Sequence, residues 1–250
     1  MSFWKSFAGL WLLAFATTTQ AAGFLDQFGL GKSATANVGN LTQEQMTSGL
    51  KEALSKGVEH AVSILGRTNG FLNDLKVKIP IPDNLRKIES TMRALGEGQV
   101  VDEFTTNMNR AAEQAVPEAA SVLGESVRQM SISDAQRILT TTNNGATEYF
   151  RRTAGTNLYA KFLPIVQRTT AATGATAGYK KLLERMNSGE VGKVFGLFGK
   201  SENLDIDTYV TRKAIDGFFV KIAEQEQLIR QNPAARSSEI LQKVFGAMKQ

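Results

Sequence analysis

The sequence predicts an all-α fold, a single-domain helical bundle or irregular helical array, and three observations support this prediction. Apolar residues recur at helical spacing through most of the chain. Capping residues and prolines stand where such stretches begin. Alternating apolar residues, which would indicate a strand, occur in one short segment near residues 76–82. Since each amphipathic helix must bury its apolar stripe, a bundle or array is the expected architecture.

Residues 1–21 have the composition of a cleavable signal peptide. Lys5 supplies positive charge, residues 7–16 are mostly apolar, and small or polar residues follow. Thr19 and Ala21 meet the small-residue requirement of signal peptidase, so we expect cleavage after Ala21. The apolar run is too short to span a bilayer, and no later stretch resembles a membrane span. We therefore expect a periplasmic protein. The alternative interpretation of residues 1–21 is a buried N-terminal helix that is not cleaved.

The chain contains no cysteine. This excludes disulfides, a lipoprotein anchor and thiolate chemistry. The formal net charge is +5, and the basic pairs are dispersed along the sequence. Because nucleic-acid-binding proteins usually concentrate Lys and Arg on one face, we expect no nucleic-acid partner.

Residues 22–40 are rich in Gly, Ser, Ala and Asn and predict a flexible leader. The all-α domain is expected to occupy residues 41–250. Its first helix begins with a capping box formed by Thr42 and Gln45 and ends near Gly66.

The alternation of Val77, Ile79 and Ile81 then predicts an extended segment, which the neighbouring prolines confine to a sheet edge or a loop. Caps and periodicity predict the helices that follow. The first runs from Asp83, its cap, to Leu95, the second from Gln99 to Ala115, and the third starts at Pro117. The fourth runs from Asp134 to Thr140 with Ser133 as its cap, and the fifth includes Tyr149 and Phe150. The sixth runs from Asn157 to Met186, with a kink or break at Pro164 and again at Gly174.

Residues 187–203 are rich in glycine and predict a long loop. Asp207 is the expected cap of the longest uninterrupted helix, which ends at Gln231. The Asn232-Pro233 sequence then separates this helix from a last one ending near Met248.

The sequence lacks the common phosphate and metal motifs. Gly-Lys-Ser occurs at residues 31–33 and 199–201, but Asp26 and Val194 replace the first glycine of a P-loop. The single histidine, His60, cannot form a zinc site with other histidines and is expected to have a structural role in the first helix. We expect no metal and no cofactor.

Asp205, Asp207 and Asp216 are the candidate acids for carboxylate chemistry. Asp216 lies in an apolar stretch, with Arg212 and Lys213 one helical turn before it. Two interpretations remain for Asp216: a salt bridge that keeps a semi-buried acid charged, which we favour, and a catalytic acid.

Arg230 and Arg236 flank the turn at residues 232–233, and Arg230 can also pair with Glu226 one turn earlier. The two guanidinium groups could hold the last carbonyls of a helix or bind an anion, and we favour the first. Together with other polar residues of the same stretches they define a candidate functional surface: Tyr149, Arg151, Tyr209, Arg212, Asp216, Arg230 and Arg236.

Five segments carry a resemblance to a known family. They are ATEYFR (146–151), LPIV (163–166), LDIDTYVTRKAIDGFF (204–219), IRQNPAAR (229–236) and LQKVFG (241–246). In these segments the chain resembles the bacterial domain of unknown function 4197 family, over nearly the whole of its mature part. The resemblance implies an exported bacterial helical protein, and it implies no activity, cofactor or catalytic residue.

These observations favour a binding or interaction module that is not an enzyme. The alternative is a carrier or sensor of an apolar, lipid-like ligand, because the Ala-, Gly- and Thr-rich residues 169–178 could leave cavities between helices. A carboxylate-based hydrolase is the least favoured. A carrier predicts an apolar cavity, an enzyme predicts a cleft with perturbed acids, and an interaction module predicts an exposed apolar or charged patch.

Overall fold

The computed structural model describes residues 42–141, 144–187, 205–236, 242–244 and 246, all within one compact unit. These residues form α-helices and turns of 3-10 helix without a strand, which confirms the all-α prediction. The predicted signal peptide, the leader and residues 188–203 of the glycine-rich loop lie outside the described residues. The helices are α1 (Gln43–Leu65), α2 (Arg86–Ala94), α3 (Gly98–Ala115), α4 (Pro117–Gln129), α5 (Ile132–Thr140), α6 (Gly145–Thr173), α7 (Ala175–Asn187) and α8 (Ile206–Gln231), with 3-10 turns at Asp83–Leu85 and Pro233–Ala235.

Helix α6 lies at the centre of the array and contacts α3, α4, α5, α7 and α8, while α1 packs on α4, α5 and α8. Aromatic side chains fill the interior between these helices: Phe104, Phe150, Phe162 and Phe218 have no exposed surface. Burying a side chain of this size contributes about 1.5–3 kcal/mol, so the core needs no disulfide. Within the part of the chain that the structure describes, no helix is both long and apolar enough to cross a bilayer.

The start of α1 confirms the predicted capping box. The hydroxyl of Thr42 accepts from the backbone N–H of Gln45 at 3.2 Å, and the Gln45 side chain accepts from the N–H of Thr42 at 3.0 Å. The helix ends before Gly66, as expected. Pro117 occupies the first turn of α4, where its missing N–H needs no partner.

Two predicted caps were wrong by two residues. Helix α5 begins after Ser131, whose hydroxyl forms a capping box with Asp134, so Ser133 is already helical. Helix α8 begins after Asp205, whose carboxylate accepts from the N–H of Asp207 at 3.0 Å. An N-cap precedes the first helical residue and accepts from the second or third N–H, a position that Ser133 and Asp207 do not hold.

Three further boundaries differ from the prediction. Asp83 opens a 3-10 turn without a side-chain cap, and α2 starts only at Arg86. Helix α6 runs without a break for 29 residues and includes Pro164, so the predicted helix through Tyr149 and Phe150 is continuous with the one predicted from Asn157. Gly174, at φ +82°, ends α6 as expected. At 26 residues α8 is shorter than α6, contrary to the prediction.

Candidate functional site

A long connection joins α1 to the first 3-10 turn, and we call residues 66–82 the anchored loop. Connections of this length without regular structure are uncommon inside a compact domain and usually have a function. Most of its apolar side chains point inward, with Phe71 and Ile79 no more than 1% exposed. Leu75, by contrast, is 90% exposed. The loop therefore presents a leucine to solvent while most of its other apolar side chains are packed.

The first half of the anchored loop is held by a buried carboxylate from α3. Glu113, only 4% exposed, accepts backbone N–H bonds from Asn69 at 3.0 Å, from Phe71 at 3.1 Å and from Leu72 at 3.4 Å. Asn69 has a positive φ of 64°, a left-handed conformation that Asn tolerates better than most residues and that turns successive N–H groups toward one acceptor. A charged acceptor makes these bonds stronger than ordinary backbone bonds.

The second half of the loop is held by an amide from the same helix. The side chain of Asn109, with no exposed surface, accepts from the N–H of Ile79 at 2.8 Å and donates to its carbonyl at 2.9 Å. These two bonds replace the pairing that a neighbouring strand would give. The predicted segment near residues 76–82 therefore lies in a loop and forms no strand, and a side chain supplies the hydrogen-bond partner of Ile79.

An ion network fixes the middle of the loop to α8. Lys221, whose side chain is 8% exposed, lies 2.6 Å from Asp74 and 2.7 Å from Glu224, and Lys76 lies 2.7 Å from Glu224. The hydrogen bond from Lys221 lowers the pKa of Asp74. Burial alone would lower the pKa of Lys221, but its hydrogen bonds to Asp74 and Glu224 raise it. The buried ammonium thus stays charged between two carboxylates, as a buried charge requires.

A glycine in α8 lets the loop approach this closely. A Cβ at Gly217 would lie 2.7 Å from the ring of Phe71 and 3.2 Å from the Cβ of Val77. Any side chain at this position would push the loop away from α8. At its far end the loop is bound by Tyr209 of α8, whose hydroxyl donates to the carbonyl of Pro80 at 3.0 Å, and burial raises the pKa of this phenol to about 12.

The anchors leave a small tip, residues 72–78, at the surface. A tight turn shapes it: the N–H groups of Val77 and Lys78 donate to the carbonyl of Asp74 at 3.0 and 2.8 Å. Leu75 protrudes from this turn, followed by the exposed residues Lys76 and Lys78. The tip thus combines an apolar side chain with two ammonium groups on a backbone that is already ordered.

Two members of the predicted functional surface are buried, and their bonds are internal. The hydroxyl of Tyr149 donates to the carbonyl of Ser126 at 2.7 Å, and burial raises its pKa. Arg236, only 5% exposed, donates to the carbonyls of Ile229 and Arg230 at 3.1 Å each. Arg236 therefore caps the end of α8, which is the interpretation that we favoured over an anion site.

Arg230 and Glu226 join α8 to the ends of two other helices. Glu226 accepts from the N–H of Ala146 at 3.0 Å and of Thr147 at 3.1 Å, so it caps α6. Arg230 pairs with Glu226 at 2.8 Å and donates to the carbonyl of Ile138 at the end of α5 at 2.8 Å. An apolar crevice beside the pair, between α1 and α8, has a free volume of about 20 Å³, enough for about one water molecule.

Asp216 differs from the sequence interpretation in burial and in partner. Its side chain is 59% exposed, and it pairs with Arg151 of α6 at 3.4 Å, whereas Arg212 and Lys213 were the expected partners. The antiparallel packing of α6 on α8 brings Arg151 to this position, with its guanidinium 4.5 Å above the ring of Phe219. Arg212 is exposed and forms no ion pair with a described residue. Because Tyr149 and Arg236 are buried, the seven predicted residues do not form one exposed surface.

The other candidate acids also have partners. Asp205 caps α8, and Asp207 accepts a hydrogen bond from the hydroxyl of Thr170. His60 is exposed on α1. Over residues 42–141, 144–187 and 205–236, the structure gathers no group of three His, Asp or Glu side chains that could hold a metal ion.

Of the residues that hold the anchored loop, Tyr209 belonged to the predicted surface, whereas Asn109, Glu113 and Lys221 were absent from the sequence prediction. Asn109 and Glu113 lie on the apolar face of α3, among Phe104, Met108 and Ala112. A polar residue at a core position of an amphipathic helix was the available signal.

Comparison with known proteins identifies the family and nothing more specific. Neither a protein of curated function nor a solved structure matches the chain. One family model matches residues 40–246, which include every helix described above. The chain therefore belongs to the family described as "Protein of unknown function (DUF4197)".

Proposed function

We propose that the protein is an exported, periplasmic interaction module that docks onto its partner through the tip of the anchored loop. The observation that carries this proposal is the 90% exposure of Leu75 on a loop that buried polar groups hold in place. Moving an apolar side chain out of water into an interface lowers the free energy, and a loop that is already ordered loses little conformational entropy when it binds. Export is supported by the composition of residues 1–21.

The anchors support docking because burying a charge or an amide costs free energy, and a loop that only connects two helices does not need such groups. A buried charge or amide stabilises a fold only when all its hydrogen-bond partners are in place. An apolar residue would fill the same space without the destabilisation that follows when a partner is missing. Glu113, Asn109 and Lys221 all direct their polar groups to the anchored loop. Their common effect is one defined conformation of the tip.

The two alternatives have less support from the geometry. The apolar crevice beside Arg230 has about 20 Å³ of free space, whereas sites for small molecules commonly measure about 300–1,000 Å³. Two larger surface grooves, of about 650 Å³ along α3 and about 440 Å³ between α4 and α6, have many charged and polar side chains in their linings, so neither is the apolar cavity that a carrier predicts. For a hydrolase, the carboxylates of Asp205 and Asp207 already serve a helix cap and the Thr170 hydroxyl, and Asp216 pairs with Arg151. An interaction module is the function that the described residues support best.

Photo-crosslinking in the producing cell tests this proposal. A benzophenone amino acid is placed at position 75 and, as matched controls, at the exposed leucines 95 and 228, which are 52% and 44% exposed. We expect a discrete adduct, with protein or with lipid, from position 75 and none from the controls. The adduct should weaken in a Glu113→Gln background, because the loop loses an anchor. No adduct at 75, or the same adducts at all three positions, would refute docking through the tip.

A further inference from the structure

The tip carries a local excess of positive charge next to its apolar residue. The anchored loop contains three cations, Arg67, Lys76 and Lys78, and one anion, Asp74. On α8, Lys221 pairs with Asp74, and Glu224 pairs with Lys76 and Lys221, so four cations stand against two anions. Lys78 is exposed and forms no ion pair with a residue that the structure describes. The side chain of Lys76 is 69% exposed although it contacts Glu224. The surface around Leu75 therefore favours a partner that is negatively charged.

The shape of the tip distinguishes between kinds of negatively charged partner. A stable protein interface buries about 800 Å² on each side around an apolar centre, and this tip offers the exposed Leu75 with the half-buried Leu72 near it. A lipid surface makes no such demand, because it deforms around a single inserted side chain. Lysine stems are long enough to leave the ammonium at the phosphates while a neighbouring apolar residue lies deeper.

We propose that the tip binds an anionic phospholipid surface, with Leu75 inserted at the boundary of headgroups and acyl chains and with Lys76 and Lys78 at the lipid phosphates. This inference rests on the docking function proposed above and names its partner. The binding is peripheral and weak for each tip, because one leucine and two lysines contribute modestly. Salt weakens it by screening the lysines.

The absence of cysteine makes a site-specific test direct. A single Leu75→Cys variant of the chain, as it accumulates in the producing cell, is labelled with the environment-sensitive dye NBD, with Leu95→Cys and Leu228→Cys as controls. Vesicles of phosphatidylglycerol are compared with vesicles of phosphatidylcholine. We expect a rise and a blue shift of NBD emission at position 75 with phosphatidylglycerol alone. Unchanged emission at 75, or equal changes at all three positions, would overturn the proposal.

A pair of charge reversals tests the electrostatic part. Lys78→Glu and Lys180→Glu change the net charge equally, but Lys180 is an exposed residue of α7. In sedimentation with phosphatidylglycerol vesicles, Lys78→Glu should weaken binding roughly tenfold while Lys180→Glu leaves it within about twofold. Equal effects of the two variants would contradict specific docking of the tip. If NBD at position 75 stays silent while the photo-crosslinker there yields one defined protein adduct, lipid is the wrong partner and docking itself stands.

Discussion

Replacement of Glu113 by glutamine should release the first half of the anchored loop. The carboxylate accepts two N–H bonds with Oε1, from Phe71 and Leu72, and one with Oε2, from Asn69. A glutamine amide has one oxygen, which can keep the bonds from Phe71 and Leu72. Its NH₂ group then faces the N–H of Asn69, so a buried donor meets a donor.

The magnitude follows from these three bonds. A hydrogen bond to a charged group contributes about 1.5–3 kcal/mol, and a buried donor without an acceptor costs about 1–3 kcal/mol. The variant loses the bond from Asn69, and the bonds from Phe71 and Leu72 no longer have a charged acceptor. We therefore expect the unfolding free energy to fall by about 2–4 kcal/mol. The matched control is Glu59→Gln on the exposed face of α1, which should change stability by less than about 0.5 kcal/mol.

Urea unfolding followed by circular dichroism measures the two free energies, and hydrogen exchange locates the effect. We expect the amide of Asn69 to lose more protection than the amide of Leu72, because the glutamine oxygen remains near Leu72. If Glu113→Gln is as stable as Glu59→Gln, or if protection at Asn69 is unchanged, the carboxylate is not the anchor that we describe.

Variants at Gly217, Asp74 and Glu226 probe the other contacts. Gly217→Ala should destabilise by about 1–3 kcal/mol in urea unfolding because its Cβ would overlap the loop, whereas Gly155→Ala, with open space around its Cβ, should stabilise α6 by about 0.5–1 kcal/mol. The pKa of Asp74 is lowered in the folded state, so its stabilisation is present above about pH 4 and is lost as pH falls through the folded pKa; Asp74→Asn should flatten the decline of unfolding free energy with acid. Glu226→Gln should lower stability by about 3–5 kcal/mol, and adding Arg230→Met should restore part of it in the same assay.

The helices could be predicted because their signals are local. The Thr42 capping box, the first-turn position of Pro117 and the left-handed Gly174 each depend on a few neighbouring residues. Of the two outcomes predicted at Pro164, a break does not occur: a proline inside a helix removes one backbone bond, but α6 packs against five neighbours and stays continuous. Tertiary contacts of this kind leave no local signal.

The candidate site was harder to predict because its contacts join residues far apart in the chain. Asn109 binds the backbone 30 positions earlier, and Arg151 meets Asp216 65 positions later. The predicted partners of Asp216 lay within one turn, since helical spacing is the distance information that a single sequence contains. The alternation around Ile79, with its prolines, predicted a loop or a sheet edge, but it could not show that an amide would replace the neighbouring strand.

The stability of the anchored loop and the exposure of its tip can be separated. Leu75 contributes little to the fold at 90% exposure, so replacing it with serine should leave the unfolding free energy within about 0.5 kcal/mol. Under the docking proposal, Glu113 acts instead through the order of the loop. Docking should fail in Leu75→Ser although its unfolding free energy is unchanged. In Glu113→Gln, docking should weaken in proportion to the hydrogen-exchange protection that the loop amides lose. If both results are found, the two effects are independent. The buried polar groups then serve the conformation of the tip, and Leu75 serves the contact that the tip makes.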